Sequence, residues 1–400
     1  MTKKWVNIAD VFFFQEGPGV RNTQYTTSGV KLLNVANLVD GKVDLSKSDR
    51  YISEEEAYGK YRHFLCDDGD FVIASSGIKV EYIDKKMGFV DASMLPLCMN
   101  TSTIRFKVLD ENQLRIRYFM YYLKSKHFKE QLTKQITGSA QLNYGPSHLK
   151  KMIMPLIDIT VQDEIISCMD KLQSIIETRQ RELIELDRLM KARFVEMFGD
   201  YINEGGKPLS ELATITGGLT KNSKRNTFNL KMPYLRVANV FFNRLDLNEI
   251  LEIGVREDEI GKTLLEAGDL LFVEGNGSIE QIGRVAIWDG SINQILHQNH
   301  LIKARFHKKT ILPEYALFYF MSQEGRQQII SKSVSTSGLN TLSVNKISSL
   351  ILPMPPIELQ ERFAAFVTQV NKSKFDTMTF APIYAIINLY LHTYFYQGRR

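Results

Sequence analysis

The sequence predicts an α+β fold in which one β-rich domain is made twice, each copy running into a long helix. Three observations predict it. Short motifs recur in the same order about 200 residues apart. Each copy opens with brief apolar and β-branched runs bounded by Gly, Asn, Asp and Ser. Residues 162–198 contain neither Pro nor Gly, and their apolar residues alternate steps of four and three.

Composition sets the frame. Four hundred residues at 44% hydrophobic and 24% charged are too many for one core, so two or three domains are expected. Fifty Lys and Arg against 45 Asp and Glu give +5, a thin surplus that permits an anionic partner without requiring one. The three cysteines, Cys66, Cys98 and Cys168, are too few and too widely spaced for a disulfide framework or a Cys-based zinc cluster, and they suit a reducing, cytoplasmic compartment. Met1-Thr2-Lys3-Lys4-Trp5 leads into no apolar core with a small-residue cleavage site, so no signal peptide is predicted.

The repeat is read motif by motif. Leu33-Asn34-Val35-Ala36-Asn37, followed by Lys42-Val43-Asp44-Leu45, returns as Leu235-Arg236-Val237-Ala238-Asn239 and Arg244-Leu245-Asp246-Leu247, at a constant offset of 202. Gly69-Asp70-Phe71 returns as Gly268-Asp269-Leu270, at 199. Arg105-Phe106 matches Arg305-Phe306 at 200, and Leu142-Asn143 matches Leu339-Asn340 at 197. Pro155, Ile159 and Gln162 return as Pro353, Ile357 and Gln360, at 198. An offset that drifts by a few residues while order is kept marks a duplicated domain. A period near 200 is far longer than a solenoid repeat.

Within each copy the elements follow in one order. Strands are predicted at 31–35, 70–74 and 103–108, then an amphipathic helix over 116–132 or 313–330, where Pro313 suits the first turn. A Ser/Thr/Gly loop follows at 137–141 or 335–339, and then a Pro-containing extended strip at 154–155 or 352–356. The first long helix carries a heptad seam of Ile165, Met169, Leu172, Ile176, Leu183, Leu186, Met190 and Met197, with Arg179 and Arg193 in the remaining places. Such a narrow seam favours packing on one partner helix over packing on its own domain. The predicted span is about 55 Å, with Thr160 as N-cap and Gly199 as stop. The second helix begins near Gln360 with Phe363, Phe366 and Val370 at seam spacing. It then meets Pro382 and a stretch, 377–398, without Asp, Glu, Lys or Arg. That stretch is long enough to span a bilayer, but Pro382, Asn388, His392 and its tyrosines favour a divergent distal helix packed on the first.

No catalytic constellation emerges. Gly261-Lys262-Thr263 lacks the upstream Gly of a phosphate-binding loop, since Arg256 stands there. Met354-Pro355-Pro356-Ile357 lacks both the amide and the stacking ring of an adenine-methylating motif. His297-Gln298-Asn299-His300 has no carboxylate at ligand spacing and reads as a loop, so no metal site is predicted.

On these motifs, in this order and twice, the chain resembles the specificity subunits of type I restriction–modification systems over nearly its whole length. The resemblance implies a non-catalytic DNA reader with target-recognition domains at 1–158 and 200–356. It also implies spacer helices at 159–199 and 357–400, the latter atypical after 376, packed as an antiparallel coiled coil. Each domain would read one half of a split, asymmetric site in double-stranded DNA. Two methyltransferase subunits and two restriction/translocase subunits would dock on the chain, bringing S-adenosylmethionine, ATP and Mg; no cofactor is expected in this chain, and no membrane partner. Reading base edges takes donors and acceptors. The first copy offers Lys79, Lys85, Lys86, Gln141, Asn143 and Tyr144, the second Asn276, Gln281, Arg284, Gln298, Asn299 and Asn340. Asn37 and Asn239 recur at identical places, which predicts a shared structural hydrogen bond. From the residues alone, a duplicated coiled-coil scaffold that binds protein without DNA specificity stands as the alternative.

Overall fold

The computed structural model describes residues 4–136, 143–202, 204–307, 310–336 and 338–378. These form two compact units, with the boundary between Thr178 and Arg179. The duplication is real strand by strand. The first unit holds a four-stranded antiparallel sheet in the order Phe12–Glu16, Thr103–Val108, Phe71–Ala74, Met87–Phe89. The second holds Ala213–Gly217, Leu301–Phe306, Leu270–Val273, Val285–Ile287 in the same order and sense. A three-stranded sheet, Tyr51–Ile52, Val30–Leu33 and Leu97–Met99, recurs as Leu251–Gly254, Lys231–Leu235 and Leu296–His297, each with one parallel pair.

Strand register corrects two of the sequence matches. Ile104 lies opposite Ile73 and Glu16, as Ile302 lies opposite Phe272 and Gly217, so these strands correspond at 198 and not at 200. The true counterpart of Arg105 is Lys303, and that of Lys107 is Arg305. Their bonds agree: Arg105 donates to the carbonyls of Leu65 (2.7 Å) and His63 (2.8 Å), Lys303 to those of Leu264 (2.9 Å) and Lys262 (3.0 Å). Lys107 pairs with Asp67 and Asp70, Arg305 with Glu266 and Asp269. Two cations have exchanged places between copies while the acceptors stayed. Likewise Ser76 bridges Asn143 where Gly275 pairs with Thr341, so the counterpart of Asn143 is Thr341 and not Asn340.

The predicted helix over 116–132 is two helices, Ile116–Lys124 and Lys126–Gln135, and its counterpart is Pro313–Met321 and Gln323–Lys332. Ser125 and Ser322 cause the break. Each has extended backbone, and its hydroxyl accepts from the N–H three residues on, which caps a new helix and ends the old one.

The central helix is Ile159–Ile202. Asp158, not Thr160, is its cap: the Asp158 carboxylate accepts from the Thr160 N–H at 2.9 Å. Gly199 does not stop it, because nothing lies within 4 Å of where its Cβ would stand and no left-handed turn forms there. The seam divides between partners. Ile165 and Met169 are buried in the first unit's own core with Tyr118, Phe119 and Tyr122, so there the helix packs on its own domain, against the sequence expectation. In the second unit Met190, Phe194 and Phe198 are buried with Phe363, Val367 and Val370 of the distal helix Ile357–Met378. The Phe194 and Phe198 rings stand 5.5 and 5.4 Å from Phe363, while Lys374 reaches Asp187 at 2.7 Å. Rising numbers on one helix meet falling numbers on the other, so this pair is antiparallel. Residues 379–400, most of the uncharged stretch, lie outside the described residues. Among the described residues no helix is long and apolar enough to cross a membrane.

Each long helix is locked at its start by the repeated glutamine. Gln162 is fully buried; its Oε1 accepts from the Arg115 N–H at 2.9 Å, and its Nε2 donates to the carbonyls of Gln113 and Ile157. Gln360 does the same with the Leu312 N–H (2.9 Å) and the carbonyls of Thr310 and Pro355. Three hydrogen bonds offset the desolvation of each buried amide and fix its direction.

Candidate functional site

In both units the shared V-A-N turn gathers the polar groups of neighbouring segments. Asn37 and Asn239 are both buried and structural, as their recurrence predicts. Each side-chain oxygen accepts from the N–H three residues back, at 3.0 Å from Asn34 and 2.9 Å from Arg236. Each amide then donates to the carbonyl of the following motif aspartate, Asp44 at 3.1 Å and Asp246 at 2.8 Å. The same frame is thus built in both copies.

Around this frame the twelve candidate reading residues sort differently from the sequence expectation. Tyr144 is corrected to a core residue: it is 2% exposed and its hydroxyl donates to the Ala74 carbonyl at 2.9 Å. Asn340 is likewise a structural residue and not an exposed reader: it is 8% exposed and its amide holds the carbonyls of Asn276 and Gly277 at 3.3 Å. Tyr144 is drawn in by its main-chain bond to Ser75 and Asn340 by the pairing of Leu339–Thr341 with Gly275–Asn276, long-range contacts that no period-two alternation in the loops could show. Lys86 and Arg284 prove to be counterparts. Lys86 donates to the Val35 carbonyl at 3.4 Å and Arg284 to that of Val237 at 3.3 Å, so both fasten the V-A-N turn. Arg284 also lies over the Phe241 ring at 5.1 Å, and burial pulls its pKa below the usual guanidinium range.

Lys79, Lys85 and Asn143 are exposed, whereas Asn276, Gln281, Gln298 and Asn299 are half-buried. Gln141 lies outside the described residues. Gln298 and Asn299 stand where the first copy has Asn100 and Thr101: the Gln298 N–H donates to the Leu235 carbonyl as that of Asn100 donates to Leu33.

In the first unit these loops enclose a polar cleft of about 590 Å³ beside the turn, walled by Asn34–Ala36, residues 47–50, residues 100–102 and Tyr25. Its floor is an amide pair, Asn100 donating to Asn34 Oδ1 at 2.9 Å, and Asn34 in turn donates to the Ser48 hydroxyl at 3.3 Å. Ser102, held at φ 71°, meets the Ser76 hydroxyl at 2.5 Å, which joins the cleft to Asn143 across the Ser76 bridge. Lys86 joins it from the other side through Val35. None of the twelve candidates lines the cleft itself; Lys86 and Asn143 reach it only through Val35 and Ser76. The signal that finds the lining residues is divergence beside a shared motif, as in Asn34 against Arg236.

The histidine-rich spot is no ligand cluster; among the described residues no group of three His, Cys, Asp or Glu could hold a metal ion. His300 bonds Glu274 at 2.8 Å, while His297 is fully buried with Nδ1 on the Thr263 carbonyl. Burial pushes the His297 pKa down to about 4. The unfolded chain, with histidine near its ordinary value, takes up that proton at higher pH than the folded one. Stability is therefore lost as pH falls from about 6.5 to about 4, on the order of 3 kcal/mol from this group. In denaturant melts across that window, His297→Gln should remove this part of the slope; parallel profiles for the two proteins would refute it.

Comparison with known proteins places this arrangement. Residues 3–188 and 206–382 match the family model described as the type I restriction modification DNA specificity domain. The specificity subunit of the EcoKI type I restriction enzyme of Escherichia coli (strain K12) is 24% identical over 277 residues, covering 63% of this chain and 58% of that protein. The putative MjaX specificity subunit of Methanocaldococcus jannaschii is 30% identical over 163 residues, covering 40% of this chain and 37% of that protein. These matches span less than two thirds of those relatives. A solved type I restriction–modification S subunit from M. genitalium shares the fold, with a TM-score of 0.54 at 15% identity, covering 99% of this chain and 97% of that one.

Proposed function

The chain belongs to the type I restriction modification DNA specificity family, and from that premise we propose that it is the DNA-reading subunit of a type I restriction–modification complex. Each copy reads one half of a bipartite, asymmetric site in double-stranded DNA. The chain itself performs no chemistry. Two methyltransferase subunits, carrying S-adenosylmethionine, and two restriction/translocase subunits, using ATP and Mg, dock on it in the cytoplasm beside the nucleoid.

The observation that carries this reading is that both copies, each complete with its sheet, turn and polar loops, match the DNA specificity domain separately. Two related but unlike readers on one chain suit two unlike half-sites. The near-neutral total charge is no obstacle, since exposed Lys79 and Lys85 supply local positive charge for phosphates.

The test is duplex binding by the full chain with its methyltransferase subunit. We expect one enriched sequence and an affinity that falls steeply with salt, as each phosphate contact releases counterions. With about six contacts, affinity drops roughly 1,000-fold or more between 50 and 200 mM salt. Affinity independent of both salt and sequence would overturn the reading.

A further inference from the structure

The two copies build the same V-A-N frame and then furnish it differently. In the first, the residues meeting across the turn are neutral: Asn34 donates to Ser48 and accepts from Asn100. Strand register sets Arg236 in the place of Asn34 and Glu249 in that of Ser48, and there they form an ion pair. By the same register the counterpart of Arg50 is Leu251. A frame held constant beside contents that change in charge and shape is what two readers of different sequences require. A purely structural cleft would keep its contents along with its frame.

Of the two cations that line the first cleft, Lys47 pairs with Asp44 and Arg50 pairs with no carboxylate among the described residues. Arg50 is exposed at the rim, its guanidinium over the Tyr25 ring at 5.2 Å, and among the described residues it makes no side-chain hydrogen bond or ion pair. A cation–π contact with the Tyr25 ring restrains the guanidinium at the rim and leaves its donors unspent. Asn34 and Asn100, by contrast, are buried and spent on each other, so they shape the floor and do not contact a ligand. A fixed guanidinium fork matches two acceptors side by side, and in the major groove that pattern is the O6/N7 edge of guanine.

We infer that the cleft beside the Asn34–Asn37 turn is the base-reading site of the first half, and that Arg50, restrained by Tyr25, specifies a guanine there. This rests on the DNA-reading function proposed above. The second copy, with Leu251 in place of Arg50, makes no such contact from this position.

The experiment is selection from a random-sequence duplex library by the full chain with its methyltransferase subunit. Wild type is compared with Arg50→Leu, which imports the second copy's residue, and with Arg50→Lys, which keeps the charge and loses the fork. We expect both variants to lose discrimination at one G·C position in one half of the motif, by roughly 5- to 150-fold. The other half and the salt slope for the Lys variant should stay unchanged. If both variants keep the wild-type motif, the inference is overturned. If Arg50→Leu weakens all sequences evenly and lowers the salt slope by about one, Arg50 holds a phosphate and base reading is overturned, while the proposed function stands. If the wild type enriches no sequence at all, the proposed function falls and the inference with it. Circular dichroism checks folding, and should Arg50→Leu fail to fold, the Lys variant alone decides.

Discussion

Replacing residues 1–155 with the corresponding segment of another specificity subunit will exchange one half of the recognised sequence completely and leave the other half untouched. The first unit supports this because its sheets, turn and cleft are closed within residues 4–156. The pairing of Lys4–Asn7 with Ile153–Leu156 brings the segment's two ends side by side, so the exchange moves every sheet of the unit together, while Ile165 and Met169 of the retained helix must repack against the incoming core. The measurement is the DNA-methylation map of cells carrying the chimaera with the proposed methyltransferase subunit. A change in both halves, or in neither, would sink the modular reading.

The second large effect is on stability. Phe198→Ala should cost the second unit about 3–5 kcal/mol, the usual range for emptying a fully packed aromatic site. Phe198 is 0% exposed, with its ring 4.7 Å from Tyr315, 5.1 Å from Phe194 and 5.4 Å from Phe363. The same removal loosens a helix, its antiparallel neighbour and the helix Pro313–Met321 together. The chain has two tryptophans, and Trp288 is buried in the second unit. In a Trp5→Phe background the fluorescence of Trp288 reports that unit's unfolding. A loss under about 1 kcal/mol would show that this end of the central helix is not core. Val195→Ala, at an exposed position on the same helix, is the control and should change little.

The duplication was legible in the sequence because its motifs are hydrogen-bonding devices with no substitute. At Asn37 and Gln162 a planar amide accepts through its oxygen from one main-chain group while its NH2 donates to another, two separate atoms at a fixed spacing that a single hydroxyl does not offer, so those residues recur without change. Where chemistry allows substitution, the reading slipped. Arg and Lys both satisfy carbonyls and carboxylates, so Arg105 aligned with Arg305 by identity while the strand aligns it with Lys303. Asp158 and Thr160 are both good N-caps, and sequence alone does not choose between them. The helix seam showed its periodicity but not its partner. Ile165 and Met169 went to the domain core, and at the far end the seam residue Met190 is buried together with Phe194 and Phe198, two rings that flank the seam positions periodicity picked out. The reading residues were hardest. A loop side chain's direction depends on long-range pairing, as between Ser76 and Asn143, and no local pattern encodes it.

The glutamine at the head of each long helix has one more property. Every group that Gln162 and Gln360 hold is main chain: an N–H and two carbonyls in each case. Such a joint is indifferent to which side chains lie on the far side and needs only the right backbone path. It works as a standard fitting, into which readers of unrelated surface sequence can be plugged. Under the proposed function, a reader exchanged at this joint keeps its seat on the helix as long as the residues that pack on Ile165 and Met169 stay apolar.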